Sequence, residues 1–180
     1  HCISSAASDV YKRQISGYVK SVCGVIDPNI YAFERLIEAK KSPLFMLDKC
    51  AEEKAVRLID KLKADGDTAG GIIEIRVKGL KSGFGSCMRY SEKLDALLCG
   101  AMMSVQAIKG AEVGLGFEAA KLQGSKVHDE IFYNGNYYRK TNNAGGIEGW
   151  NVQRRRDCIA RRNEAHTYAY ERLEHRGRVN

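Results

Sequence analysis

Apolar and polar residues recur along this chain with two different periods, and the changes of period divide it into elements. Between Ile15 and Val22 a run with Tyr18, Val19 and Val22 reads as a short strand of poor alternation. Asp27-Pro28 then opens a helical stretch, because proline suits a first helical position and Ile30, Phe33, Leu36 and Ile37 would share a face; Pro43 ends it. Asp48 is placed to cap the next helix, whose stripe is Ala51, Ala55, Leu58, Ile59 and Leu62. Glu52 and Glu53 lie near its positive end, and Lys61, Lys63 and Gly66 mark its close.

The period becomes two from Gly71 to Lys78. Ile73, Ile75 and Val77 are expected to face a core there, with Glu74, Arg76 and Lys78 toward water. Gly79, Gly83 and Gly85 make a connection, after which Ser91 is expected to cap a helix carrying Leu94, Leu97, Leu98, Ala101, Met102, Val105 and Ile108, closed by Lys109 and Gly110. Ala111 to Ala119 reads as a strand with Val113, Leu115 and Phe117 on one face. Phe132 to Tyr138 reads as a hairpin, since Asn134-Gly135 supplies the positive φ values of a tight turn.

Composition adds bounds. A chain of 180 residues, 44% apolar and 28% charged, is long enough for one domain with its own core. The formal charge of +7 invites a nucleic-acid or membrane reading, but the excess lies mostly at the ends: Asn151 to Asn180 has eight arginines and no lysine, while the middle is nearly neutral. Cys23, Cys50, Cys87 and Cys99 are scattered, without a Cys-x-x-Cys pair or histidines at zinc spacing, so no metal site is expected. They read as reduced, mostly buried thiols of a cytoplasmic protein. No run approaches the roughly 20 apolar residues that span a bilayer, and no membrane association is expected.

Candidate chemistry concentrates in Thr141-Asn142-Asn143-Ala144-Gly145-Gly146-Ile147-Glu148-Gly149. Gly145 and Gly146 can adopt positive φ, so that successive N–H groups converge on an anion, and Asn142 and Asn143 carry both donors and acceptors. An ordinary Asn/Gly turn accounts equally well for these residues taken alone. His128 beside Asp129 resembles an oriented general base, but a solvent-exposed loop histidine is the simpler reading. Tyr133, Tyr137 and Tyr138 beside Arg139 and Lys140 are read as hairpin aromatics, with stacking on a base or a flavin as the alternative.

Several segments in order carry a resemblance. They are Gly66-Asp67-Thr68-Ala69-Gly70-Gly71, Leu94-Asp95-Ala96, the run from Ser104 to Phe117, Gly124-Ser125 with Asp129-Glu130, and Asn142 to Gly149. From about Ile15 to Gly149 the chain resembles the middle of chorismate synthase. The resemblance implies an α+β fold of helices packed with antiparallel sheets, usually a homotetramer. It implies anti-1,4-elimination of phosphate from 5-enolpyruvylshikimate 3-phosphate, with reduced FMN as cofactor and NADPH as the reductant for the flavin. Asn143 and Ala144 would occupy the flavin-contact position, with Asn142, Gly145 and Gly146 shaping the loop. No residue of this chain matches a catalytic acid, base or substrate-binding arginine of the family.

Both ends depart from the pattern. Residues 1–14 read as a foreign leader and 150–180 as a frameshifted tail. Moved by one nucleotide, the forced TGG codon of Trp150 and the first base of Asn151 spell glycine. The codons open to Asn151 through Cys158 then permit Met-Ser-Asn-Gly-Glu-Gly-Ile-Val, and those from Asn163 to Thr167 permit Met-Lys-Pro-Ile-Pro, as in the family. The expectation is a fragment without turnover and with exposed strand edges. The competing reading is a small basic nucleic-acid-binding module, with Tyr133, Tyr137 and Tyr138 stacking and the arginine tail on phosphates.

Overall fold

A computed structural model describes residues 13–80, 83–148, 151–152 and 165–173. Most of the expected leader, Gly149, Trp150 and much of the tail lie outside the described residues. Five strands form one antiparallel sheet in the order β2-β1-β3-β9-β4: β1 is Gln14–Val22, β2 Val25–Ile26, β3 Ala69–Lys78, β4 Ile108–Val113 and β9 Ala165–Leu173. The helices α1 (Lys49–Ala64), α2 (Leu94–Met103) and α3 (Gly124–Val127) lie between the strands, with 3₁₀ turns at Phe33–Lys41, Tyr90–Glu92 and Gly116–Lys121. A hairpin of β5 (Ile131–Asn134) and β6 (Asn136–Arg139) and a short pair of β7 (Ile147–Glu148) with β8 (Asn151–Val152) complete the α+β architecture.

β1 forms where read, and so does α1. The Asp48 side chain accepts from Ala51 N–H at 3.1 Å, satisfying one of the first-turn donors that an α-helix leaves without partners. Ala51 and Ala55 are buried with Val22, Met46 and Ala69.

The segment after β2 is not the helix that Asp27-Pro28 suggests. Asp27 is fully buried, and its carboxylate accepts from Asn29 N–H at 3.0 Å, from the Tyr31 hydroxyl at 2.9 Å and from Asp48 N–H at 3.2 Å. These bonds hold the chain extended as far as Ala32. Only then does a 3₁₀ helix begin, burying Phe33, Leu36 and Ala39 at a spacing of three. Ile30 is left 89% exposed and Ile37 also faces outward, against expectation.

On β3 the period of two is correct and the assignment of faces is inverted. Glu74 and Arg76 are each only 2% exposed. Arg76 Nε donates to Glu74 Oε1 at 2.6 Å, Arg76 also donates to the Tyr31 carbonyl, and the Tyr18 hydroxyl donates to Glu74 Oε2 at 3.2 Å. Tyr18 stands directly opposite Glu74 in the register with β1, and it packs on Phe33, Leu36 and Ala39. The 3₁₀ segment therefore roofs the charged face, where mutual pairing and hydrogen bonds compensate burial. Ile73 and Ile75 instead line an open apolar cavity of about 510 Å³ with Ile15, Val19, Leu44 and Phe45.

The next two elements are shorter than the pattern predicts. α2 begins after Lys93, without a side-chain cap from Ser91, and ends at Met103. Ala107 turns the chain with φ +73°, and Ile108, expected on the helix, starts β4 in register with β9. β4 stops at Val113 because Gly114 (φ +63°) and Gly116 (φ +52°) turn the chain into a 3₁₀ helix, so Leu115 and Phe117 do not continue a strand. The hairpin forms where read, but only Gly135 takes positive φ, at +74°; Asn134 stays in the strand and pairs with Asn136, so the turn is not the expected two-residue one.

Candidate functional site

The Asn142–Gly146 segment folds as a tight turn because both of its glycines take the left-handed conformation, Gly145 at φ +68° and Gly146 at φ +80°. Gly145 N–H donates to the Asn142 carbonyl at 3.1 Å, and Ile147 N–H donates to the Ala144 carbonyl at 3.3 Å. Ile147 then turns inward and is buried with Leu94, against Leu80, Leu98 and Val113. Asn142, Asn143, Ala144 and Gly146 are half-buried, whereas Gly145 is buried.

Successive N–H groups do converge on an anion, and that anion is part of the chain. Asn143 N–H donates to Asp129 Oδ1 at 2.7 Å and Ala144 N–H to Asp129 Oδ2 at 2.9 Å. Asp129 is only 7% exposed. The Asn143 carbonyl accepts from Leu115 N–H at 2.8 Å, and its side-chain amide donates to the Lys126 carbonyl at 3.2 Å. Arg139 donates to the Asp129 carbonyl and pairs with Glu148 at 2.8 Å, tying the hairpin to the far side of the loop.

Two glycines make this approach possible. A Cβ on Gly114 would stand 2.1 Å from Asn143 O and 2.6 Å from Gly145 N, and one on Gly145 would stand 2.7 Å from Gly114 N. The turn after β4 and the Asn142–Gly146 loop thus touch backbone to backbone, which any side chain at Gly114 would prevent. The five loop residues singled out in the sequence are contiguous in space by necessity. The structure adds Gly114, Asp129 and Arg139 to them.

Asp129, weighed in the sequence only as a partner that would orient His128, instead accepts from the loop amides. A two-residue turn at Asn134-Gly135 would pair Ile131 with Tyr138, whereas Ile131 pairs with Arg139, so the local pattern alone does not set Asp129 at the loop. His128 is exposed, as read. The tyrosines pair with one another across the hairpin: Tyr133 and Tyr137 have ring centroids 5.0 Å apart, and Phe132 stacks on Tyr138 at 5.7 Å. The cysteines differ from expectation. Cys23, Cys50 and Cys87 are exposed and Cys99 is half-buried, because they fall in a turn, a first helical turn, a loop and the α2 surface rather than in the apolar clusters. The apolar cavity on β1 and β3 includes none of the loop residues, and among the described residues no helix is long and apolar enough to cross a membrane.

Comparison with known proteins gives one consistent family. The sequence model described as chorismate synthase matches residues 3–152. The chain is 49% identical over 148 residues to chorismate synthase of Pelobacter propionicus, covering 76% of this chain and 37% of that protein. It is 45% identical over 141 residues to the enzyme of Oceanobacillus iheyensis, covering 76% of this chain and 36% of that one. A crystal structure of chorismate synthase superimposes with a TM-score of 0.78 at 29% identity, covering 92% of this chain and 51% of the other. The chain spans less than half the length of these curated relatives. By the family match, which takes in the whole Asn142–Gly146 loop with Asp129 behind it, this chain belongs to the chorismate synthase family.

Proposed function

We propose that the intact protein to which this chain corresponds is a reduced-FMN-dependent carbon–oxygen lyase. It removes phosphate from 5-enolpyruvylshikimate 3-phosphate by anti-1,4-elimination to give chorismate, and residues 142–146 form one edge of its flavin site. The match to the family across residues 3–152 carries this reading. It is taken to work in the cytoplasm as a homotetramer, with NADPH reducing the flavin.

The residues present suit such a cofactor. Asn142 and Asn143 are half-exposed carboxamides, each with donor and acceptor atoms of the kind a flavin edge requires. Ala144 and Gly146 beside them keep side-chain bulk off the loop, so a flat ring can lie close to the backbone. Lys126 orients the Asn143 carboxamide through its carbonyl, and Asp129 fixes the peptide that follows. A reduced flavin held there would supply electron density toward the departure of phosphate.

The 180-residue chain itself is proposed to lack turnover, because it supplies none of the family's catalytic acids or bases. Purified chain 1–180, given 5-enolpyruvylshikimate 3-phosphate and reduced FMN without oxygen, is expected to release no chorismate. Re-reading the source DNA across codons 148–170 provides the second arm. If a one-base correction restores Gly-Met-Ser-Asn-Gly and Lys-Pro-Ile-Pro, the corrected full product is expected to form chorismate; absence of turnover there would sink the proposal. No comparison favours the nucleic-acid alternative.

A further inference from the structure

Asp129 is buried at the meeting point of three segments. Both of its carboxylate oxygens are engaged, one by Asn143 N–H at 2.7 Å and the other by Ala144 N–H at 2.9 Å. A carboxylate that divides its oxygens between two successive amides constrains the two consecutive peptide planes that carry them relative to each other. Such bonds to an ionised acceptor are shorter and roughly twice as strong as neutral ones.

The rest of the contact network keeps the carboxylate in place. Arg139 donates to the Asp129 carbonyl while holding Glu148 at 2.8 Å, so the hairpin carries Asp129 and braces the loop's exit together. Leu115 N–H holds the Asn143 carbonyl at 2.8 Å from the side of Gly114. The Asn143–Ala144 peptide is thus gripped through its own N–H and its own carbonyl, and the Asn142–Asn143 peptide before it through its N–H. A carboxylate already seated in this pair of amides also opposes a second anion there. The loop therefore offers a ligand its carboxamides and small side chains, not those two N–H groups.

We infer that Asp129 is a positioning residue: its carboxylate sets the orientation of the Asn143–Ala144 peptide and so aims the loop's half-exposed groups at the cofactor. This rests on the flavin-loop reading for its consequence but not for its geometry, and the test separates the two.

The test uses uniformly ¹⁵N-labelled chain 1–180, with Asp129→Asn, Asp129→Glu and Asp48→Ala variants. In the parent chain the Asn143 and Ala144 amides should exchange with solvent at least about tenfold more slowly than that of Gly135 at the exposed hairpin tip. Asp129→Asn keeps one acceptor oxygen and turns an NH₂ toward the other amide. One of the two protections should then fall by about tenfold or more. Asp129→Glu, which keeps both acceptor oxygens, should lose less of that protection than Asp129→Asn. Asp48→Ala, a destabilisation at the α1 cap, should leave the relative protection of Asn143 and Ala144 unchanged.

Unprotected Asn143 and Ala144 amides in the parent chain would overturn the assignment. That outcome is read on the parent chain whether or not Asp129→Asn folds, and equal protection of both amides in the parent chain and a folded Asp129→Asn would overturn the assignment too. The separate arm is titration with FMN followed by flavin fluorescence. The parent chain should bind more tightly than Asp129→Asn by about tenfold. Equal affinity of the two chains would overturn positioning, whereas no binding by the parent chain would count against the flavin-loop reading while the amide data still decide the clamp.

Discussion

At the scale of single residues, the most consequential positions are those where burial and residue type disagree with local pattern. Glu74 and Arg76 sit two apart on β3, and together with Tyr18 they form a buried polar network under the 3₁₀ segment. Removing one partner leaves the other charge in a dry site, so Arg76→Met should cost about 3–5 kcal/mol, read from urea unfolding. The double variant Glu74→Met/Arg76→Met should recover most of that loss, since no uncompensated charge remains. Gly114 illustrates a different constraint. Gly114→Ala adds a Cβ 2.1 Å from Asn143 O at φ +63° and should cost about 2–5 kcal/mol. Gly24→Ala, equally left-handed at φ +82° but facing open space, should cost only about 1–2 kcal/mol; equal losses would show that the contact at Gly114 contributes nothing.

At the scale of elements, local signals succeeded where the backbone's own hydrogen bonds decide the outcome. Asp48 caps α1 as read, and Asp48→Ala should lower stability by about 1 kcal/mol in the same unfolding experiment. The place of the hairpin at Gly135 was equally legible, because few residue types other than glycine accept the positive φ it needs, although its register was not. Signals failed where a distant group intervened. Asp27 captures Asn29 and Tyr31 and keeps the chain extended past Pro28, and β9 draws Ile108 into a strand instead of the helix its spacing suggests. The alternation on β3 revealed its period but not which face lies inward, since that depends on what covers each face. The candidate loop was legible as a glycine turn with carboxamides, but its grip by Asp129, Gly114 and Arg139 was not, because each comes from a different segment.

At the scale of the whole molecule, titration connects the buried network to stability. Burial, followed by the nearby Glu74 carboxylate, raises the Tyr18 hydroxyl, and burial together with the bond to Asp27 pushes Tyr31 up to about 12. The native state holds these protons more tightly than the unfolded chain, whose tyrosines ionise near about pH 10. Their contribution is therefore complete below about pH 10 and is lost as pH rises through the folded values. The urea midpoint should fall from about pH 10 upward, and Tyr31→Phe should flatten that fall; an unchanged slope would exclude Tyr31 as its source. The open cavity on β1 and β3 sets the opposite face apart, with Ile15 74% exposed at its edge. What the sequence alone determined was family, α+β class and the elements whose ends are set by caps and turns, because those depend on neighbours a few residues away. Tertiary structure decided which face of β3 is buried, where α2 gives way to β4, and what holds the Asn142–Gly146 loop. Each of these turns on groups far apart in the chain, whose meeting is set by sheet register and by what covers each face, and no local pattern records it.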